Sequence, residues 1–541
     1  MSTDAPSLAA RADAPNSKIS WWTDGAAAVG LFVLFAALRP LMPGGDGMAY
    51  FARAVKNGAL QEPVTKHLLY VPMLHGVHRT LDAFGLRRFT IEAFTLISNL
   101  AGVLLYLVLA RGVFAQLVSD AWLARLAALG TLVSFGVLSE CVAIETYSVA
   151  LLLDMALVAV CLNYDLATWR GGVGAGVLYA LAVGTHASNI LLLPFVLVFL
   201  YRDVRKRCLW TSSWFVGTVL VAALLMAAGT LIGLGASLWP PDWRRLIPQA
   251  DPEPTMSLLA RLGRTVYGIA RTLAWLPPSW ELTRTYVICY TLALLVAGLL
   301  FLAVARRGFF QVLGRYRTHG LLAILLVVPY FVLGVSYYPS DPERWLFLTP
   351  LFWLLVALAW VEYRPAVGAW LTTTRARWFL ASLIVALAAA NTFLQLWPEA
   401  RSNRDLAGFH ALADTAQAGD LVIAIGGKSD LDEEYILQRP LTYDVYALDT
   451  LMLREHCRDV RGAQEALRNR VSGALRQGQR VLVFQLIDEG LQTGRGYPWS
   501  FVANDGFSPD TLLSVLAEFR PEPLRPPTAE CAGIYRLRGE R

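Results

Sequence analysis

AAAVGLFVLFAALRPLMPGGDG, residues 26–47, joins an apolar run ending near Met42 to the turn Pro43-Gly44-Gly45-Asp46-Gly47. A run of this length crosses hydrocarbon as an α-helix, because a helix satisfies its own backbone polar groups where water is absent. The glycine-rich turn then holds the Asp46 carboxylate just beyond the apolar layer, at the level of lipid headgroups. Arg11 and Lys18 ahead of the run resemble the start of a signal peptide. The run is long enough to span and no small-residue cleavage site follows it, so we read an uncleaved anchor.

Working outward, the same pattern recurs along a chain of 541 residues that is 56% hydrophobic and 16% charged, with a mean hydropathy of +0.47 and 17 Trp. These values define an integral membrane protein. A requirement of about 17 to 25 apolar residues per crossing yields about eleven helices. Their cores lie near 25–42, 90–110, 121–140, 143–162, 172–186, 188–201, 213–238, 285–305, 321–338, 345–361 and 378–397. Arg111, the group Arg202, Arg205, Lys206 and Arg207, the group Arg306, Arg307, Arg315 and Arg317, and Arg364, Arg375 and Arg377 fall on one side under this count. That side is cytoplasmic by the positive-inside rule. The net charge of +6 therefore reports topology rather than a nucleic-acid surface.

The expected fold class is mainly α, a polytopic membrane protein with about eleven transmembrane helices and a small C-terminal α/β domain. Residues 1–24 form a cytoplasmic tail, 25–397 the transmembrane body with a first outer loop at 43–89, and 398–541 a periplasmic domain. In that domain the apolar runs Leu421 to Gly427 and Arg480 to Leu486 read as buried strands. Helical stretches near 405–418, 460–477 and 509–519 alternate with them. Gly426-Gly427 lacks the spacing of a nucleotide loop. Cys141, Cys161, Cys208 and Cys289 fall in or beside apolar spans, whereas Cys457 and Cys531 lie in the polar part, where a disulfide is open to them.

Within the first outer loop, Met48 to Val55 reads as a short helix stopped by Asn57-Gly58. Tyr70, Leu74, Val77, Leu81 and Phe84 then recur at helical spacing, giving one apolar face for an interfacial helix or for packing on the bundle. His75 and His78 lack a third metal ligand and are read as surface. The loop cations Arg53, Lys56, Lys66, Arg79, Arg87 and Arg88 suit headgroup or lipid-phosphate contacts.

Further polar residues reach the same outer level. Glu140 and Glu145 flank the join of the third and fourth spans, His186 ends the fifth, and Arg344 lies in Asp341-Pro342-Glu343-Arg344-Trp345 before the tenth. Each alone fits capping or anchoring; their shared face points to a site. Asp154 lies mid-span, and a hydrogen-bonded packing role, for example with Asn99, accounts for it better than an ion path. A transporter or lipid flippase is the alternative reading, and it calls for paired halves or several midplane charges.

The order of these features resembles the GT-C superfamily of membrane glycosyltransferases, particularly bacterial relatives of the protein O-mannosyltransferases and the lipid A aminoarabinose transferase. The resemblance rests on Gly45-Asp46, Lys66-His67-Leu68-Leu69-Tyr70-Val71-Pro72, Glu145-Thr146-Tyr147, Gly184-Thr185-His186 and Asp341-Pro342-Glu343-Arg344-Trp345, and it covers about the first 400 residues. Asp46 is followed by Gly47 rather than by a second acid, and His67 by Leu68 where relatives often have Pro.

The resemblance implies an inverting transfer of sugar from a polyprenyl-phosphate donor to a hydroxyl of a protein, lipid or envelope glycan. The reaction would take place on the outer face of a bacterial inner membrane. It makes Asp46 and Glu145 the catalytic pair and Lys66, His67, Tyr70, Tyr147, His186 and Arg344 the substrate-binding set. No cofactor is expected, since the lipid-linked sugar is a substrate; a divalent metal stays open. Membrane lipids are partners and nucleic acid is not.

Overall fold

The computed structural model describes residues 17–41, 47, 50, 51, 54, 55, 67–118, 120–204, 213–234, 258–275, 328–335, 341–363, 373–401, 404–424, 443–447, 460–484, 509–528 and 533–539. Asp46, Lys66, the Asn57-Gly58 stop, the expected span 285–305, Gly426-Gly427, Cys208, Cys289, Cys457 and Cys531 lie outside the described residues.

The fold is mainly helical. Helix α1 is Ser17–Ala37, α2 Tyr70–Ala83, α3 Thr90–Leu107, α4 Ala121–Val133, α5 Phe135–Val142, α6 Thr146–Asn163 and α7 Trp169–Thr185. A 3-10 turn, Ala187–Leu192, leads into α8, Leu193–Val204, followed by α9 at Ser213–Leu234 and α10 at Leu258–Leu273. After a second 3-10 turn, Pro342–Trp345, come α11 at Leu348–Tyr363 and α12 at Thr373–Asn391. Among the described residues three helical segments are long and apolar enough to cross a bilayer, Arg87–Leu117, Thr146–Asn163 and Arg377–Leu396. A fourth is added if α4 and α5, bent by 66°, form one span. The apolar helices Trp21–Ala37, Ala187–Tyr201, Ser213–Leu224 and Leu348–Leu358 are shorter.

Helices α3 and α6 run side by side in the same direction. The Ser98 hydroxyl reaches the Glu145 carbonyl at one end, and Asn163 Nδ2 donates to the Gly112 carbonyl at the other. This register removes Asn99 as a partner for Asp154. Asp154 lies nine residues below Glu145, about 13 Å along the axis, whereas Asn99 neighbours the residue level with Glu145. The side chain of Asp154 is buried, and its Oδ1 has no hydrogen-bond partner among the described residues.

The bend between α4 and α5 has an identifiable cause. Ser134 leaves the helical region at ψ 136, and the freed Val133 carbonyl accepts from Asn391 Nδ2 at 2.8 Å. Trp353 Nε1 holds the Ser134 hydroxyl at 2.9 Å. The bend redirects α5 so that the chain arrives at Glu140 and Glu145 beside α3.

At the opposite end of the bundle, Asp24 is 1% exposed inside α1. It accepts from Arg111 and Arg125 at 2.7 Å each and from the Tyr106 hydroxyl at 3.3 Å. Two guanidiniums compensate this buried carboxylate and tie three helical segments together. Trp21 covers Arg111, and Trp22, Trp122, Trp169 and Trp378 are exposed near this end, the pattern of a membrane-interface belt.

Helix α2 buries Tyr70, Val71, Leu74 and His78 against Tyr50, Phe51, Phe94 and Ile144. The expected face therefore turns by about one position, and Phe84 is exposed where the chain reverses at Gly85, φ +69. The reading of His75 and His78 as surface is corrected. His78 Nδ1 donates to the Thr90 hydroxyl at 3.1 Å, and His75 Nδ1 to the Ala54 carbonyl at 2.6 Å, so both dock the helix.

Beyond residue 403, helix α13 is Arg404–Thr415, α14 Val460–Arg476 and α15 Pro509–Glu518, with strands β1 Leu421–Ala424, β2 Asp444–Ala447, β3 Val481–Phe484, β4 Glu522–Arg525 and β5 Ile534–Leu537. The sheet order is β2-β1-β3-β5-β4, parallel through β2, β1 and β3 and antiparallel through β5 and β4. Strand alternation sends Leu421, Ile423, Val481 and Val483 toward α14 and α15, and Val422, Leu482 and Phe484 toward α13.

Candidate active site

Glu145 occupies the N-cap position of α6 in an extended conformation, yet its side chain makes no cap bond there. Instead Oε1 accepts the backbone N–H of Gly47 at 3.0 Å, across a sequence separation of 98 residues. A Cβ on Gly47 would lie 2.5 Å from the Ile144 carbonyl oxygen. Only glycine fits this approach, which accounts for the absence of a second acid after Asp46. Gly47, Tyr50, Phe51, Ala54 and Val55 are helical, so the first-loop segment following Asp46 packs directly on the α5–α6 junction.

His67 is buried between this segment and α7. Its Nδ1 lies 3.2 Å from the Thr185 carbonyl, an obligate acceptor, so Nδ1 carries the proton of the neutral ring. Nε2, 3.0 Å from the Tyr50 hydroxyl, then accepts from it. Thr146 Oγ1 also donates to the Thr185 carbonyl at 3.3 Å. Beyond Thr185 the chain turns extended at His186, whose Nδ1 accepts from the Ser188 N–H at 3.3 Å and faces the Ser188 hydroxyl at 2.5 Å. In the neutral ring the His186 proton is therefore on Nε2.

The rings form a continuous series. The Tyr50 ring lies 5.1 Å from His67, His67 5.0 Å from His186, and His186 4.9 Å from Tyr147. Tyr70 meets Tyr50 edge-on at 5.4 Å. Burial pushes the Tyr70 phenol above its ordinary range and the charge of Glu145 adds to this, so it stays protonated.

Arg344 closes the series: Nη1 donates to the Tyr147 hydroxyl at 3.1 Å, and Nε lies 3.5 Å from Asp341 Oδ2. Asp341 begins the 3-10 turn and accepts the Glu343 N–H at 3.1 Å. The turn rests on α10, where the Thr272 hydroxyl reaches the Pro342 carbonyl at 3.1 Å, and on Trp345, which is buried over Gly334.

Thus His67, Tyr70, Glu145, Tyr147, His186 and Arg344 gather at one end of the bundle, where Glu145 holds Gly47, the residue that follows Asp46 in sequence. Tyr50 belongs to the group and was missed; its position one helical turn after Asp46 was the available signal. Helix α10 was also missed, although Leu258, Leu262, Val266, Ile269 and Leu273 repeat at helical spacing. Chemically the cluster joins hydroxyls, imidazoles and one guanidinium, a set suited to a polyoxygenated, anionic ligand.

No protein-family model matches the chain, and no curated protein matches it. Solved structures do. ArnT from Cupriavidus metallidurans bound to undecaprenyl phosphate aligns at 14% identity over 97% of this chain and 100% of that chain, with a TM-score of 0.54. Its apo form aligns at 15% identity over 97% and 100%, with a TM-score of 0.51. The arabinofuranosyltransferase AftD from Mycobacteria aligns at 16% identity over 96% of this chain and 40% of that chain, with a TM-score of 0.49. The chain has the fold of the two ArnT structures.

Proposed function

We propose that the protein is an inverting glycosyltransferase that moves a sugar from a polyprenyl-phosphate donor to an acceptor hydroxyl at the outer surface of a bacterial inner membrane. The observation that carries this reading is the series of ring contacts from His67 through His186 to Tyr147, which Arg344 closes with a hydrogen bond beside the Glu145–Gly47 contact, in a fold shared with a protein bound to undecaprenyl phosphate. The positive-inside distribution supports the outward orientation of the Glu145 end, opposite Arg111 and Arg125.

In the proposed reaction the acceptor oxygen bonds to the anomeric carbon as the bond from that carbon to the phosphate oxygen breaks. The electron pair leaves with the polyprenyl phosphate, and Asp46 takes the hydroxyl proton. Glu145 holds the backbone beside Asp46 through Gly47. Arg344 meets the growing phosphate charge, its planar fork matching phosphate oxygens. Lys66 adds charge, while Tyr147, Tyr70, His67 and the Nε2–H of His186 contact sugar or phosphate. Membrane lipids surround the bundle, and the acceptor is a protein, lipid or glycan.

The test is mass spectrometry of envelope glycans, glycolipids and glycoproteins in a deletion strain against its parent. A sugar-sized increment lost in the deletion, and restored by the wild-type chain but not by Asp46→Asn, is the expected result. Identical profiles in parent and deletion strains would remove the assignment.

A further inference from the structure

His186 and Arg344 reach the cluster from opposite directions in the chain: His186 heads the turn Ala187–Leu192, and Arg344 sits in the turn Pro342–Trp345. One residue touches the supports of both. The Tyr330 hydroxyl donates to Asn189 Oδ1 at 3.0 Å, and its ring stacks on Phe347 at 4.2 Å with an interplanar angle of 11°. Phe347 lies two residues beyond the Arg344 turn, whose Trp345 packs against Phe331 and closes over Gly334.

Asn189 is held just as tightly on the other side. Its Nδ2 donates to the Ala182 carbonyl at 3.1 Å, and its own N–H to the His186 carbonyl at 3.0 Å. Both residues are buried, at 3% for Asn189 and 7% for Tyr330. In such surroundings a lost hydrogen bond leaves an orphaned polar atom, so the pair has one strongly preferred arrangement.

We propose that Tyr330 and Asn189 are positioning residues whose single hydrogen bond sets the separation between His186 and Arg344. The proposal rests on the reading of those two side chains as parts of one donor site. Asn189 fixes the His186 turn through two bonds to its own segment, and Tyr330 fixes the Arg344 turn through ring stacking. Their mutual bond is the strut between the two halves. Neither side chain is placed against substrate.

Hydrogen exchange of the full-length protein in nanodiscs, without ligand, tests the strut directly. Tyr330→Phe keeps the ring and removes the bond. Exchange should rise about tenfold in both 187–192 and 342–347, while the remaining helices keep wild-type protection. Asn189→Ala should raise exchange in both turns as well, and more strongly in 187–192 because it also removes the bond to the Ala182 carbonyl; adding Tyr330→Phe to it should change little, because the shared bond is already gone. A rise confined to one turn, or spread evenly through the bundle, would overturn the proposal.

A second measurement separates this idea from the donor assignment. Undecaprenyl phosphate affinity should fall about tenfold in Tyr330→Phe, and that loss should vanish in an Arg344→Ala background. If the wild-type protein does not bind undecaprenyl phosphate, the donor reading fails while the exchange result still decides the strut. If binding is present and Tyr330→Phe leaves it unchanged, the positioning role fails.

Discussion

The backbone N–H of Gly47 donates to Glu145 Oε1 at 3.0 Å, although 98 positions separate the two residues. Through this bond the acid at the head of α6 holds the chain next to Asp46, and the Ile144 carbonyl leaves no room for a side chain there. Glu145 thus has a structural duty that is separable from its charge.

Gly47→Ala should therefore displace the Asp46 turn or break the Glu145 bond. A stability loss of about 1–3 kcal/mol is expected from the forced contact, with transfer activity falling further than the folded fraction does. Glu145→Gln keeps an acceptor oxygen for the Gly47 N–H and removes the charge. Thermal melting together with transfer rate measures both: retained stability with lowered rate would assign Glu145 an electrostatic role, whereas an unchanged rate would reduce it to a scaffold.

Asp46→Asn should lower transfer by about a hundred- to ten-thousandfold, the span of a lost general base. Undecaprenyl phosphate affinity should stay near wild type, because the proton acceptor is not part of phosphate recognition. A single-turnover assay with supplied lipid-linked sugar checks this, and full activity in the variant would sink the base assignment.

Arg344→Ala should weaken undecaprenyl phosphate binding by about ten- to a hundredfold, as expected for a charge-assisted contact in a partly buried site. Arg344→Lys should recover only part of it, since an ammonium cannot present two parallel donors. Tyr147→Phe removes the hydroxyl that Arg344 Nη1 holds at 3.1 Å and should give a smaller loss. Wild-type affinity in all three variants would take Arg344 out of the donor site.

Much of this architecture was legible in the chain, for reasons that differ by residue. Glu145, His186 and Arg344 stood out because an ionisable side chain at the end of an apolar run is expensive unless it is used or paired. Tyr50, Asn189 and Tyr330 did not, because aromatic and amide side chains in apolar surroundings read as ordinary packing and their partners are far away in sequence. Asp24 lay just outside the expected first span, from residue 25. Asp24 lies inside the helix Ser17–Ala37 because Arg111 and Arg125, from two other segments, make its carboxylate tolerable there. Helix α10 escaped since Arg261, Arg264 and Arg271 lower its hydropathy while its apolar spacing stays helical.

The docking of α2 should depend on pH through His78. Burial holds this imidazole below its usual range, and the positive charge of Arg87 pushes the same way. The unfolded chain titrates near about 6.5, so between the two values it binds more protons than the folded protein, and acid favours undocking. The His78 contribution is complete above about 6.5 and is lost progressively as pH falls below it, levelling off under the lowered folded value. Protection of Tyr70–Ala83 from hydrogen exchange should therefore drop between about pH 7.5 and about pH 5.5 after correction for intrinsic exchange rates. His78→Gln retains a donor for the Thr90 hydroxyl, now held by His78 at 3.1 Å, and does not titrate. It should flatten this dependence without abolishing protection at high pH. A wild-type slope that persists in the glutamine variant would place the titrating group elsewhere.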